Sequence, residues 1–361
     1  MSRTQRVLAL AVTAIIFVLL FRRIPLPRLL TALERADYTR FFAAMIPNTL
    51  VYFLWDTLVL TVAVRWFHGP VRYVELLPAR AASYVVAFFN TNAGRGTLAV
   101  HLARRLGSPF LQLGSTVLFL VLTEYLHLVA WGTIGILQIH SDIARELLWG
   151  PPAVALLWLA VFTYSRLGGD PSRATCNGAT VPRAKRADVL RADVLRADVL
   201  RADVQRADVL RAPEEPRRGA ARLWRLALAP RGWALLRTFR LAPARRYAQI
   251  ILLRAPLFFV SLCLHYVAAR AFGLSIPFVA LVAFLPVIFM IAALPITVAR
   301  LGTTQAAWVF FFSAYADAPT LLAFSLAAHL TFVVTRALLG VAFLPRAYAE
   351  LTGGAPRVVN S

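Results

Sequence analysis

The sequence has little cysteine, almost no lysine and few acidic residues. Cys176 lies in a polar stretch and Cys263 in an apolar one, so we expect neither a disulfide framework nor a metal site. Lys185 is the only lysine, and arginine carries nearly all of the formal net charge of +22. A biased codon composition explains that preference without any function. The charge is scattered and fits no nucleic-acid-binding motif, so we expect no nucleic-acid partner.

Apolar residues are what the sequence has in excess. They make up 59% of the chain and the mean hydropathy is +0.66, above the roughly 45–50% apolar share of soluble domains. The first apolar run, from Val7 to Phe21, is followed by Arg22 and Arg23 instead of a small-residue cleavage site. We therefore interpret it as a transmembrane helix and the protein as an integral membrane protein.

Apolar runs of about 20 residues can span a membrane. On this basis we predict an all-α, polytopic membrane helix bundle with about six full spans and two re-entrant or broken helical segments in an inverted repeat. The full spans lie near residues 5–22, 41–64, 109–138, 148–167, 249–272 and 320–344. The broken segments, 79–106 and 278–315, each contain an apolar arm, a polar turn and a second arm. The arm before Asn90 is about half a bilayer long, so we expect it to enter the membrane and return.

The distribution of arginine predicts the topology, because basic loops stay on the cytoplasmic side. The polar stretch 166–246 holds 19 basic and 8 acidic residues, a net charge of +11. We place it, the N-terminus and the C-terminus in the cytoplasm, with the bundle in the inner (plasma) membrane. The basic segment from Arg22 to Arg40 falls outside in this topology and does not fit the rule. The predicted organisation is a first membrane half (1–167), a basic loop (168–246), a second membrane half (247–345) and a tail (346–361).

The basic loop contains five copies of a pentapeptide, from Arg186 to Leu210. Five residues do not match the helical period, so we interpret the repeat as a spacer. The following segment, 220–246, alternates arginine with aromatic and apolar residues, among them Trp233 and Phe239. This composition favours a helix at the cytoplasmic membrane surface, with an ordinary loop as the alternative.

Two polar breaks interrupt membrane-grade sequence, Asn90 to Gly96 and Pro295 to Gly302. Such breaks are tolerated only where protein buries them or a wet cavity satisfies their backbone groups. Arg95 and Arg300, one in each break, are suited to bind an anion together with free backbone N–H groups. The alternative is that each arginine only caps its turn or extends to the membrane surface. The candidate substrate-binding residues of the breaks are Asn90, Asn92, Gly94, Arg95, Gly96, Arg300, Gly302 and Gln305.

Further candidates are ionisable residues inside predicted spans, where a charge costs on the order of 2.5–3.5 kcal/mol. Glu124 and His127 are three residues apart, hence on one helical face, and form either a functional or a structural pair. Asp56 lies in mid-span with arginines available from the broken segments, and His329 lies in the last span. We find no catalytic motif, so we expect no enzyme activity and no cofactor.

The runs from Phe88 to Gly132 and from Leu294 to Leu330 resemble the two signature regions of the lysylphosphatidylglycerol synthase transmembrane-region family, also called flippase-like membrane proteins. The resemblance rests on a break of the type N-x-x-x-G-R-G, here Asn90 to Gly96, and on a proline-containing break that runs into Leu301-Gly302. It implies a membrane helix bundle with two re-entrant elements. It also implies translocation of an aminoacylated lipid or another lipid-linked headgroup between leaflets.

The chain differs from the family at three charged positions. Gln305 stands where the family commonly has Glu, His127 ends its acidic-Arg-x-x-Asp pattern, and His329 replaces an Arg. These differences weaken the case for a cationic aminoacyl headgroup. We expect membrane lipids with phosphate-bearing headgroups as partners. The alternative function is a membrane scaffold or accessory subunit for a glycosyltransferase or another lipid-modifying enzyme. A membrane enzyme acting on a polyprenyl lipid ranks third.

Overall fold

The regular structure of the chain is helical wherever the computed structural model describes it. The described residues are 3–89, 91–139, 142–167, 234–293 and 302–352. The chain divides into two compact units, Met1–Phe162 with Ala234–Ser361, and Thr163–Trp233. The helices are α1 (Arg3–Arg23), α2 (Leu26–Glu34), α3 (Tyr38–Phe67), α4 (Tyr73–Phe89), α5 (Thr91–Leu106), α6 (Phe110–Ile136), α7 (Asp142–Leu147), α8 (Gly150–Leu167), α9 (Arg237–Leu241), α10 (Ala244–Ala271), α11 (Phe278–Ala293), α12 (Thr303–Phe312) and α13 (Ala318–Thr352).

Four helices are long and apolar enough to cross a membrane: α3, α6, α10 and the part of α13 from Ala318 to Arg346. They agree with four of the six predicted full spans and with a membrane protein. The predicted spans 5–22 and 148–167 are also helical, as α1 and α8. In α1 the side chains are described from Ala11 onward, and the stretch Ala11–Arg22 is apolar. The count of six full spans therefore stays a prediction.

The largest core cluster joins α3, α10, α12 and α13 through aromatic rings. The ring of Phe41 lies 5.2 Å from that of Phe272, Phe272 lies 5.6 Å from Phe324, and Phe324 lies 4.9 Å from Trp308. All three pairs meet edge to face, the arrangement that the charge distribution of an aromatic ring favours. The rings connect the first membrane half to the second.

The first broken segment is a helical hairpin. Gly94 of α5 lies against Ala87 and the carbonyl oxygen of Ser83 in α4, while Arg105 lies 3.0 Å from Glu75 at the opposite end. The ends of α4 and α5 nearest Asn90 therefore contact each other, and so do the ends farthest from it. The two helices are antiparallel. The predicted length of the first arm is wrong. Because α4 begins before Pro78 and has 17 residues, it is about 25 Å long, not half a bilayer.

The second broken segment also folds back on itself. The ring of Phe284 in α11 stacks on Phe311 of α12 at 5.3 Å and meets Phe312 edge to face at 5.9 Å. Residues 294–301 between the arms lie outside the described part of the chain. α12 begins after Gly302, which has a φ of 90° that favours glycine, and the backbone N–H of Gly302 donates to Oε1 of Gln305 at 2.7 Å.

Packing of the second hairpin on α6 depends on one glycine. Gly135 lies directly against the backbone of Val282 and Ala283 in α11, where a Cβ atom would collide. The close approach brings α11 onto α6 along much of its length. The second hairpin is therefore held by the first membrane half.

The start of the second half attaches to α6 through a polar network. The backbone N–H of Thr238 donates to the Ser115 hydroxyl at 2.9 Å, and the hydroxyls of Thr238 and Thr116 are 2.9 Å apart. Nε2 of His68, at the end of α3, lies 2.7 Å from the Thr116 hydroxyl. Burial, and then the charge of Arg237, lower the pKa of His68 to about 4. His68 is therefore neutral at neutral pH.

The predicted surface helix 220–246 is described only from residue 234, and the pentapeptide repeat lies outside the described residues. Phe239 is 1% exposed and packs against Phe119 of α6, with 5.7 Å between ring centroids. This side chain therefore packs inside the bundle and does not face lipid. Phe239 packs on α6 because the backbone of the neighbouring Thr238 is hydrogen-bonded to that helix.

Candidate functional site

Asp56 lies in the middle of α3 and is shared by two arginines. It pairs with Arg80 of α4 through Oδ2, and its Oδ1 lies 3.2 Å from Nη1 of Arg254 in α10. The side chains of Asp56 and Arg254 are 9% and 4% exposed, so this is a buried ion cluster. A carboxylate at this depth is tolerable only with such partners. Arg80 is an arginine of the first broken segment, as expected, whereas Arg254 was not predicted as a partner of Asp56.

The ion cluster borders a cavity of about 260 Å³ inside the bundle. One water needs roughly 10–15 Å³ on the same measure, so the cavity has room for a polar group much larger than water. Its walls come from α3, α4, α5, α6, α10, α11, α12 and α13. The ionisable residues on its walls that carry the chemistry are Asp56, Arg80, Arg95, Glu124, Arg254, His265, His329 and Arg336.

Both hairpins border this cavity with the ends nearest their turns. The first contributes Gly94 and Arg95 at the start of α5. The second contributes Ala292 and Ala293 at the end of α11 and Thr304 at the start of α12. The described residues that flank the two turns, far apart in the sequence, therefore border one space.

Two cavity arginines have no carboxylate partner in the described part of the chain. Arg336 of α13 stacks its guanidinium on Tyr84 at 3.6 Å from the ring centroid and approaches Phe332 at 5.0 Å. Its Nε is buried without a hydrogen-bond partner there, as are those of Arg80 and Arg254. Arg95 forms no ion pair or hydrogen bond with a described residue. Both arginines border the cavity, so their guanidinium groups are candidates to bind a ligand there.

Glu124 and His127 are not a direct pair. Oε1 of Glu124 accepts a hydrogen bond from the Tyr52 hydroxyl at 2.9 Å, and the carboxyl group borders the cavity. Nε2 of His127 accepts one from Nε1 of Trp131 at 2.9 Å. Both residues border a second space of about 20 Å³ that also touches Arg254. Glu124 therefore stays a candidate binding residue, whereas His127 has a structural partner on its own helix.

The remaining predicted residues divide by position. His329 borders the cavity, while Gly302 and Gln305 form the cap of α12 and do not. Gly96 has open space where a side chain would be. The candidates Asn90 and Arg300 and the side chain of Asn92 lie outside the described residues.

Sequence reasoning missed four residues of the cavity as binding candidates: Arg80, Arg254, Arg336 and Tyr52. The signal for the arginines is the one that selected Asp56, an ionisable residue within an apolar run. No comparable signal marks Tyr52.

Within the described residues, no group of three or more His, Cys, Asp or Glu side chains is placed to hold a metal ion. The chain matches no protein-family model and no curated protein sequence. The chemistry of the cavity is therefore the main guide to function. That chemistry combines guanidinium donors, a buried carboxylate paired with two arginines and an interior with room for a polar group larger than water, within a bundle of apolar helices.

Proposed function

We propose that this protein is a flippase-like integral membrane protein that carries a phosphate-bearing lipid headgroup between the leaflets. The observation that supports the proposal is the cavity in which Arg95 and Arg336 lack a carboxylate partner among the described residues. Guanidinium groups bind phosphate with several parallel hydrogen bonds, and they do so best where water is scarce. The buried Nε of Arg336 has no hydrogen-bond acceptor among the described residues.

The size of the cavity favours the headgroup over the whole lipid. Ligand pockets for small molecules are about 300–1,000 Å³, and this cavity, at about 260 Å³, is near the lower limit. The acyl chains would stay among the apolar helix faces, which include exposed Leu338 and Val341 of α13. Shielding only the polar part lowers the cost of crossing, because the polar part is what hydrocarbon excludes.

The two hairpins are the proposed moving parts. We propose that each enters from an opposite face, so that the bundle has six full spans, an inverted pair of re-entrant elements and both termini in the cytoplasm of a cell with an inner membrane. Their antiparallel arms and their shared cavity favour this arrangement, because broken helices that meet at a binding site are typical of membrane transporters. The resemblance to the lysylphosphatidylglycerol synthase transmembrane-region family points in the same direction.

The test replaces Arg95 with alanine and follows a fluorescent anionic phospholipid between leaflets in proteoliposomes. Loss of a charged hydrogen bond to phosphate costs about 1.5–3 kcal/mol, so we expect transport to fall about tenfold or more. Arg104→Ala is the matched control, since Arg104 is an exposed arginine on the same helix. Transport by Arg95→Ala at the rate of Arg104→Ala would contradict the proposal.

A further inference from the structure

The charges on the cavity wall do not balance. The described lining residues include four arginines and two carboxylates, an excess of two positive charges with the histidines neutral. Uncompensated charge is costly in a low-dielectric interior, so a cavity of this kind is stable only with counter-charge from solvent ions or from a ligand. The excess of positive charge therefore indicates what kind of ligand the cavity binds.

Two of the arginines are already compensated. Arg80 and Arg254 both contact Asp56, and the charge of Glu124 also acts on both of them. Two carboxylates thus serve two guanidinium groups. This half of the cavity is neutral as a whole.

Arg95 and Arg336 carry the excess. Both are close enough to act on Asp56 electrostatically, but neither has a carboxylate within ion-pair distance among the described residues. Stacking on Tyr84 and Phe332 holds the Arg336 guanidinium in place without neutralising it. The two charges face one cavity together with the start of α5.

We infer that the ligand brings two negative charges on one phosphate group, as a lipid phosphomonoester does, and that lipids with a single phosphodiester charge bind less well. The inference rests on the proposed function for the lipid part of the ligand. A phosphomonoester carries about −1.5 to −2 charges at neutral pH, against −1 for a diester. The second charge meets the arginine that a diester would leave uncompensated.

The experiment compares two probes that differ by one methyl group. Full-length protein in phosphatidylcholine nanodiscs is titrated calorimetrically with dihexanoyl phosphatidic acid and with its methyl ester. We expect the monoester to bind about tenfold more tightly, because one more buried charge contact forms. Inorganic phosphate is the third probe and should bind much more weakly than the lipid. Equal binding of phosphate and lipid would overturn the lipid part of the inference.

Variants of Arg336 test whether this residue causes the preference for the monoester. Arg336→Gln should reduce the preference for the monoester to about parity, and Arg336→Lys should retain it because the charge is kept. Arg346→Gln, an exposed arginine on the same helix, should leave it unchanged. A monoester and a methyl ester that bind equally to the unaltered protein would overturn the charge inference. Transport in proteoliposomes is measured separately. If transport is intact but the protein does not prefer the monoester, the charge inference is wrong and the proposed function stands. If the protein prefers the monoester but does not transport lipid, only the proposed function is wrong.

Discussion

The first hairpin, α4 with α5, and the second, α11 with α12, both fold back antiparallel and both border the cavity. Their chemistry is opposite. The first carries Arg80 and Arg95 into the cavity, whereas the described residues of the second, 278–293 and 302–312, include no ionisable side chain. Among the described residues, the first hairpin therefore supplies charge to the cavity and the second supplies apolar side chains and Thr304. An architectural repeat does not require a chemical one.

Asp56 of α3 holds the first hairpin in the bundle through its ion pair with Arg80. Replacing Asp56 should therefore cause the largest loss of stability. Asp56→Ala leaves Arg80 and Arg254 buried without their carboxylate, and we expect it to lower the free energy of unfolding by about 3–5 kcal/mol. Thermal unfolding of the detergent-solubilised protein measures the change. Asp142→Ala is the control, because its pair with Arg145 is exposed and should cost less than about 1 kcal/mol. Equal shifts for the two variants would show that the buried cluster does not hold the hairpin.

The second hairpin depends on close backbone packing. Gly135→Ala places a methyl group against the backbone of Ala283, which cannot rotate away, and should cost about 1–3 kcal/mol. Gly94→Ala in the first hairpin meets Cβ of Ala87 at 2.6 Å and should cost somewhat less. At Gly96 the space is open, so Gly96→Ala should be neutral or stabilising by up to about 1 kcal/mol. Thermal unfolding ranks the three, and a Gly96→Ala variant as unstable as Gly135→Ala would contradict the packing described for the hairpins.

The last expected effect is a pH dependence where α3 leads into the first hairpin. Because the pKa of His68 is about 4 in the folded protein and near 6.5 when unfolded, the unfolded state takes up a proton first as the pH falls. Stability should therefore decrease from about pH 6.5 towards pH 4. His68→Gln retains a polar side chain and should show a shallower decrease in melting temperature over this range. Parallel curves for the two proteins would mean that His68 does not titrate with unfolding.

Much of the helical architecture follows from apolar run length, and the positions of both breaks from their polar residues. The start of α4 was not predictable in this way, since Pro78 suggests a helix end but lies inside the helix. Contacts between distant helices were harder still. The partner of Asp56 at position 254 is 198 residues away, and run length says nothing about which spans become neighbours. The sequence shows which ionisable residues lie within apolar runs. Which of these residues share a cavity depends on how the helices pack.

The most direct test of the central claim is a cryo-EM structure of the full-length protein in nanodiscs with excess dihexanoyl phosphatidic acid. We expect phosphate density in the cavity in contact with the guanidinium groups of Arg95 and Arg336, with the acyl chains leaving between apolar helix faces. A lipid headgroup bound elsewhere, with the cavity closed by its own side chains, would contradict it.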